Sequence, residues 1–264
     1  MVPGTSARVC ALVSLCLLQL AMPSRAAAQP TVATPWRLDM TRDRATATNQ
    51  GNESIWTSDR LQLGWTRPET GGWFLSAERQ QRGALVDVAM AARGYKRRGD
   101  WTAAVAGGVT PAADFLARVS AEGELSRRIV GTLVVSAGYR YLAFRRLDIH
   151  QIQPALTWYH ARGDAAARLY LSHNTATGRT SPTLQLSASF QASPRFDIGG
   201  GLAYGDRIFD IASLSSGASH SAAGFAHARV GLTRRDSILI GGGSAHEDPA
   251  FEYRMFSIGY RRTF

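Results

Sequence analysis

The six histidines are the first candidates for acid–base chemistry in this 264-residue chain. His220 stands beside Ser221, His173 beside Asn174, and His246 opens the acidic run Glu247-Asp248. Hydrolysis would need a nucleophile or an activated water with a base in reach. Neighbours on a strand point to opposite faces, so adjacency alone does not make His220 and Ser221 a dyad. His150 and His160 lie near opposite ends of one segment, too far apart to cooperate. The chain has no serine-hydrolase motif, no H-E-x-x-H and no calcium loop. Glycines 199–201 and 241–243 fall inside alternating segments, where glycine marks close backbone approach rather than a phosphate cradle. Cys10 and Cys16 both lie in an N-terminal apolar run, which leaves the remainder without a thiolate ligand, a disulfide or a cysteine nucleophile. The expectation is no catalytic constellation, no metal site and no cofactor. An enzyme acting on lipid A, phospholipid or peptide stands as the alternative.

Arginine is the second chemical resource. Lysine and arginine total 30 against 20 acids, a formal charge of +10, and Lys96 is the single lysine. Alternation along the segments assigns Arg60, Glu78, Asp87, Arg118, Glu122, Arg140, Gln151, Gln153, Arg168, Tyr170, Asp197 and Arg229 to one polar face. Gln62, Gln185, His227 and Arg261 share it. Two readings follow for a face of that kind turned inward. It is an internal network of ion pairs and hydrogen bonds, because buried charges must be paired. Or it lines a wet passage whose arginines favour anionic or glycan-like solutes.

The elements that would position these residues are strands. Segments of roughly 8 to 14 residues alternate between apolar and polar positions, with turn residues between them. Leu133, Val135, Ala137, Tyr139 and Tyr141 alternate with Thr132, Ser136, Gly138 and Arg140; Leu184, Leu186, Ala188 and Phe190 alternate with Thr183, Gln185, Ser187 and Ser189. Short turns are expected at 68–72, 97–100, 126–128, 161–164, 192–195 and 233–236. Other connections, several of them longer, interleave with them at 43–54, 81–84, 110–114, 145–147, 174–182, 206–220 and 245–249. Short turns alternating with longer loops are the habit of transmembrane barrels, and this punctuation calls for about 14 strands, or 12 should a weak hairpin at 81–84 or 145–147 be illusory.

A soluble sandwich alternates too, so the termini and the aromatics must decide. Arg8, the apolar run Val9–Met22 and the triplet Ala26-Ala27-Ala28 read as a secretory signal peptide over 1–28. The run falls short of the ~20 residues a spanning helix needs. Cleavage after Ala28 would leave one domain, 29–264. Trp65, Trp73, Trp101, Trp158 and Phe196 each lie on the apolar face within a few residues of a short turn, as an interfacial girdle requires. Phe256, Ile258, Tyr260 and the terminal Phe264 alternate along the last segment and are similar to the assembly signal of outer-membrane proteins; Arg262, where that pattern holds an apolar residue, is expected to snorkel to head groups. The fold class is therefore all-β: a transmembrane antiparallel up-and-down barrel.

The stretches Gly138–Phe144, Asp148–His150, Pro154–Tyr159, Ala167–Leu171 and Ile198–Gly205 resemble the YaiO family of outer-membrane barrels, most clearly over about residues 130 to 210. The resemblance implies an outer-membrane location and little about activity. Expected partners are outer-membrane lipid and lipopolysaccharide, the export and barrel-assembly machinery during biogenesis, and a surface-polysaccharide system; the export signal argues against nucleic acid. The non-enzymatic expectation is an envelope component or a narrow pore.

Overall fold

The computed structural model describes residues 36–49, 51–67, 69–206, 220–247 and 251–264. They form fourteen strands: β1 (Trp36–Asn49), β2 (Asn52–Arg67), β3 (Gly71–Arg82), β4 (Leu85–Arg98), β5 (Trp101–Val109), β6 (Val119–Val130), β7 (Leu133–Ala143), β8 (Asp148–His160), β9 (Gly163–Asn174), β10 (Arg179–Ser193), β11 (Phe196–Asp206), β12 (His220–Gly231), β13 (Asp236–Glu247) and β14 (Phe251–Thr263). Each strand pairs antiparallel with its sequence neighbours, and β1 closes on β14 from Arg37↔Thr263 to Asn49↔Phe251. No helix among the described residues is long and apolar enough to cross a membrane.

The alternation runs inside out. Leu61, Leu75, Val105 and Leu202 point away from the barrel axis and stay 48–67% exposed, while Gln151 and Gln153 inside are 0% and 1% exposed. A sheet with that pattern is built for an apolar surrounding. At the rim that carries the chain ends and the shorter turns, Trp36 packs edge to face on Trp73 at 5.4 Å, and Trp65 is the register partner of both. Trp101, Trp158, Phe196 and Phe264 sit outward at the same rim. Arg67 lies over Trp65 and Arg127 over Trp101, each guanidinium about 5 Å from the ring. Turn length makes this rim periplasmic and the opposite one extracellular.

Both hairpins that looked weak in the sequence are real. Gly83 turns β3 into β4 with φ 60°, and residues 144–147 join β7 to β8. Fourteen strands, not twelve, result. The expected loop at 43–54 is overturned: β1 and β2 run through it to the pair Asn49↔Asn52. There β1 turns Ala45 and Ala47 inward and Thr46 and Thr48 outward, so no apolar outer face marks the strand. The turn expected at 126–128 sits instead at 131–132, because a bulge between Arg128 and Val130 prolongs β6. The loop expected at 174–182 shrinks to 175–178. Residues 1–35, 50, 68, 207–219 and 248–250 lie outside the described residues, and with them the expected signal peptide, most of the loop expected at 206–220 and the end of the one expected at 245–249.

Arg262 does not reach away to head groups. It lies 5.6 Å over the Phe264 ring and pairs with Asp236 at 3.6 Å. Arg67, Lys96, Arg98, Arg127, Arg195, Arg234 and Arg235 lie at the periplasmic rim, while Arg42, Arg44, Arg79, Arg145 and Arg254 lie toward the other end.

An arginine placed mid-belt tests this orientation. Leu186→Arg, on the outward face of β10, is expected to lower folding stability in bilayers by about 2–4 kcal/mol, read from reversible unfolding in vesicles. A soluble protein with Leu186 at its surface would lose nothing.

Candidate functional site

The inward positions of successive strands carry the polar side chains, and register decides which of them meet. At the periplasmic end, Asp39 of β1 forms an ion pair with Arg37 at 2.9 Å and accepts from Arg261 Nε of β14 at 2.7 Å. Asp197 of β11 pairs with Arg229 of β12. At mid-height Glu78 takes both Nε and Nη2 of Arg60, at 3.0 and 2.8 Å, and also accepts from Ser58 at 2.8 Å and Gln80 at 2.5 Å. Across the lumen Arg168 donates to Glu124 at 2.8 Å and to Gln153 at 3.0 Å. The chain continues from Gln153 to Gln151 and from Gln151 to Ser172, both at 2.7 Å. Tyr170 donates to Gln185 at 2.7 Å. These are buried charges with partners, and each pair offsets the desolvation of its members.

The extracellular end is different: aromatic and closed by a loop. Residues 110–118, between β5 and β6, fold over the barrel mouth, with Ala113 and Phe115 buried. Asp87 of β4 holds the loop. Its carboxylate accepts the backbone amides of Asp114, Phe115 and Leu116 at 2.8, 3.0 and 2.8 Å. Arg118 closes the loop base: its carbonyl accepts Thr110 N–H, and its own N–H donates to Ala143. Arg82 is sandwiched between the Phe115 ring at 4.2 Å and the Trp56 ring at 4.8 Å. Trp56 in turn packs on Tyr253 and Phe251. β4 reaches beyond β5 here: its ladder to β5 starts only at Met90↔Val109, so the loop occupies the space beside Leu85–Ala89.

Beneath the loop lies a cavity of about 170 Å³. Leu116, Ala117, Leu142 and Phe144 form its apolar roof, and Arg60, Arg93 and Arg140 reach its polar wall. Arg60 is neutralised by Glu78. Arg140 has only Glu122, at 3.7 Å, and its Nε finds no hydrogen-bond partner. Arg93 makes no ion pair among the described residues. The wall therefore carries unbalanced positive charge at one place, in surroundings of low dielectric.

Every residue assigned to the polar face from the sequence has its Cα on an inward register position or, for Arg118, at the loop base. They are not one site. Register brings together Arg60 with Glu78, Arg140 with Glu122, Arg168 with Gln153 and Gln151, and Arg229 with Asp197; Asp87 serves the loop. The reading missed Asp39, Glu124 and Arg93, although their parity matches that of the residues it named. It also missed Trp56, two residues beyond the expected loop, an aromatic on the inward parity of β2.

The histidines are scattered. His150 bonds the Tyr139 hydroxyl at 2.6 Å on the outward face, His173 lies 3.1 Å from Thr180 Oγ1, and His160 packs between Trp158 and Phe190 at the periplasmic rim. His246 occupies an outward position of β13; the His220 side chain lies outside the described residues. Among the described residues no group of three His, Cys, Asp or Glu could hold a metal ion.

A family model described as the YaiO membrane beta barrel domain matches residues 61–205. No curated protein matches the sequence. Among solved structures, the CymD monoaromatic hydrocarbon channel superposes with a TM-score of 0.67 at 9% identity, covering 88% of this chain and 89% of that one. The NanC porin gives 0.53 at 9% identity over 85% of this chain and all of its own. Omp33 of Acinetobacter baumannii gives 0.53 at 8% identity over 88% and 100%. At these identities the fold is what is shared.

Two outcomes test the interior. Asp87→Ala should release residues 110–118, read as new protease cleavage there in a barrel that otherwise stays intact. Glu124→Ala should cost about 3–5 kcal/mol by stranding Arg168, and adding Arg168→Ala should restore part of it; equal or additive losses would mean that the pair is not coupled.

Proposed function

The chain belongs to the YaiO membrane β-barrel family, and from that premise we propose that it is a non-enzymatic outer-membrane barrel with a narrow, loop-constricted passage for small anionic solutes, acidic sugars among them. The observation that carries this reading is the pair Arg93 and Arg140 lining the cavity under the 110–118 loop: Arg140 has Glu122 at 3.7 Å, and Arg93 makes no ion pair among the described residues. Elsewhere Glu78, Glu124 and Asp197 each balance one arginine, while Asp39 serves both Arg37 and Arg261 at the periplasmic end, so a permeating anion would meet positive charge at the constriction and again at that end. On the far side Gly199 and Gly201 face inward, and the His227 and Phe225 rings of β12 lie against them, so rings rather than open space cover that stretch of wall. Another barrel of this fold serves as a monoaromatic hydrocarbon channel, so the architecture can host a passage.

The alternative, a barrel enzyme, gains nothing from the described histidine side chains: His150 and His160 sit at opposite ends of β8, and His173 and His246 lie on other strands. In the same reading, the alternate residues Phe256, Ile258 and Tyr260 with Phe264 act as the assembly signal of β14.

Planar-bilayer recording tests the passage. Steady anion-selective currents are expected; Arg140→Ala or Arg93→Ala should weaken the selectivity, and Asp87→Ala should raise the conductance. A silent wild-type barrel would remove the passage and leave an envelope element. Single replacement of His173, His220 or His246 should leave lipid A unmodified in pattern; a changed pattern in any one of them would favour the enzyme.

A further inference from the structure

The outward surface is not uniform around the barrel. On β10 the outward residues Phe190, Ala188, Leu186, Leu184 and Pro182 are apolar for most of its length. On β1 the apolar stretch is Trp36, Leu38 and Met40, and then Arg42 and Arg44 face out. β2 changes in the same row from Leu61 to Asp59, and β3 from Ala77 to Arg79. Register places Arg42, Asp59 and Arg79 side by side across three strands. Arg42 Nε is 3.5 Å from Asp59, with both side chains exposed, at 67% and 44%. One carboxylate thus stands between two guanidinium groups. Arg44 lies next along β1, and Arg254 of β14, paired loosely with Glu252 at 3.7 Å, adds a further cation.

Six residues separate Trp36 from Arg42. At ~3.3 Å per residue and a strand tilt near ~40°, that is about 15 Å above the periplasmic girdle, against an apolar band of about 25 Å. The row therefore sits on the extracellular half, deeper than ordinary head groups lie. Below it runs an outward groove of about 730 Å³, lined by Met40, Leu61, Ala77, Val88, Ile238 and Ile258. Arg42 has Asp59 at 3.5 Å and Arg79 donates to Gln81 at 3.2 Å, so the two exposed guanidinium groups have one acid between them and room for a second anion from the bilayer. Planar guanidinium forks match phosphate oxygens in two-point contacts.

We propose that this seam of β14, β1, β2 and β3 holds a phosphorylated glycolipid of the outer leaflet, the lipid A part of lipopolysaccharide, with acyl chain in the groove and phosphate between Arg42 and Arg79. The extracellular placement selects this lipid over the phospholipids of the inner leaflet. The inference depends on the outer-membrane location and not on the passage, since all the residues involved face away from the lumen.

The test uses the full barrel refolded in micelles free of lipopolysaccharide and titrated with bis-phosphorylated lipid A, with bound lipid read by native mass spectrometry. One lipid per barrel is expected. Arg42→Ala with Arg79→Ala should weaken binding at least tenfold, Asp59→Asn should tighten it by removing the competing carboxylate, and Arg145→Ala, on a distant outer loop, should leave it unchanged. Heat-modifiable gel mobility reports folding of each variant. Should the double variant fail to fold, Asp59→Asn still decides: unchanged or weaker binding would overturn the site. So would no binding to the wild type, equal binding of phosphatidylglycerol, or equal binding of lipid A stripped of phosphate.

Discussion

Hydrocarbon gives a peptide backbone nothing to hydrogen-bond with, and the closure of β1 on β14 is this chain's answer to that constraint. With thirteen residue pairs in that last ladder, no strand edge is left open to lipid along the seam. The rest follows from the sign reversal that closure imposes. Leucines, valines and tryptophans must look out, and the polar half of each strand must find its partners inside. Trp36, Trp65 and Trp73 adjoin one another at one rim, and Arg67 stacks over Trp65 there.

An enclosed polar interior has its own demand: charges taken from water need partners at close range. The barrel meets it with short cross-strand links, Arg60 to Glu78, Arg168 to Glu124, Arg229 to Asp197 and Arg261 to Asp39. Such pairs depend on geometry, not on bulk attraction; on β11 glycines make room instead for the Phe225 and His227 rings of β12. Two places carry more guanidinium than carboxylate: the periplasmic end, where Asp39 serves Arg37 and Arg261, and the constriction, where Arg140 has Glu122 at 3.7 Å and Arg93 makes no ion pair among the described residues.

The same logic applies at the mouth and on the outside. Asp87 is completely buried, yet its charge is spread over three amides of the 110–118 loop, which turns a strand residue into the anchor of a constriction. Arg42, Asp59 and Arg79 form an incomplete version on the lipid side, one acid for two bases. Both places concentrate positive charge, one facing water in the lumen and one facing lipid.

The all-β class, the membrane-facing alternation, the count of fourteen strands, the girdle and the terminal aromatic strand were all legible in the sequence, because each depends on a two-residue period or on composition near a turn. The alternation of Leu184 to Phe190 needs no knowledge of any other strand. What escaped was set by the third dimension. The outer half of β1 looked like a loop because its outward face has left the apolar belt, and only pairing with β2 and β14 reveals it as strand. Parity alone named Asp87 and Glu122 but not their duties, which depend on a loop 27 residues away and on the neighbouring strand's register. Arg82 meets Trp56 and Phe115, and Arg42 meets Asp59 and Arg79, only when separate strands are laid side by side. A local period fixes which way a side chain points; which side chain it meets there is decided by closure and register, and those are properties of the whole sheet.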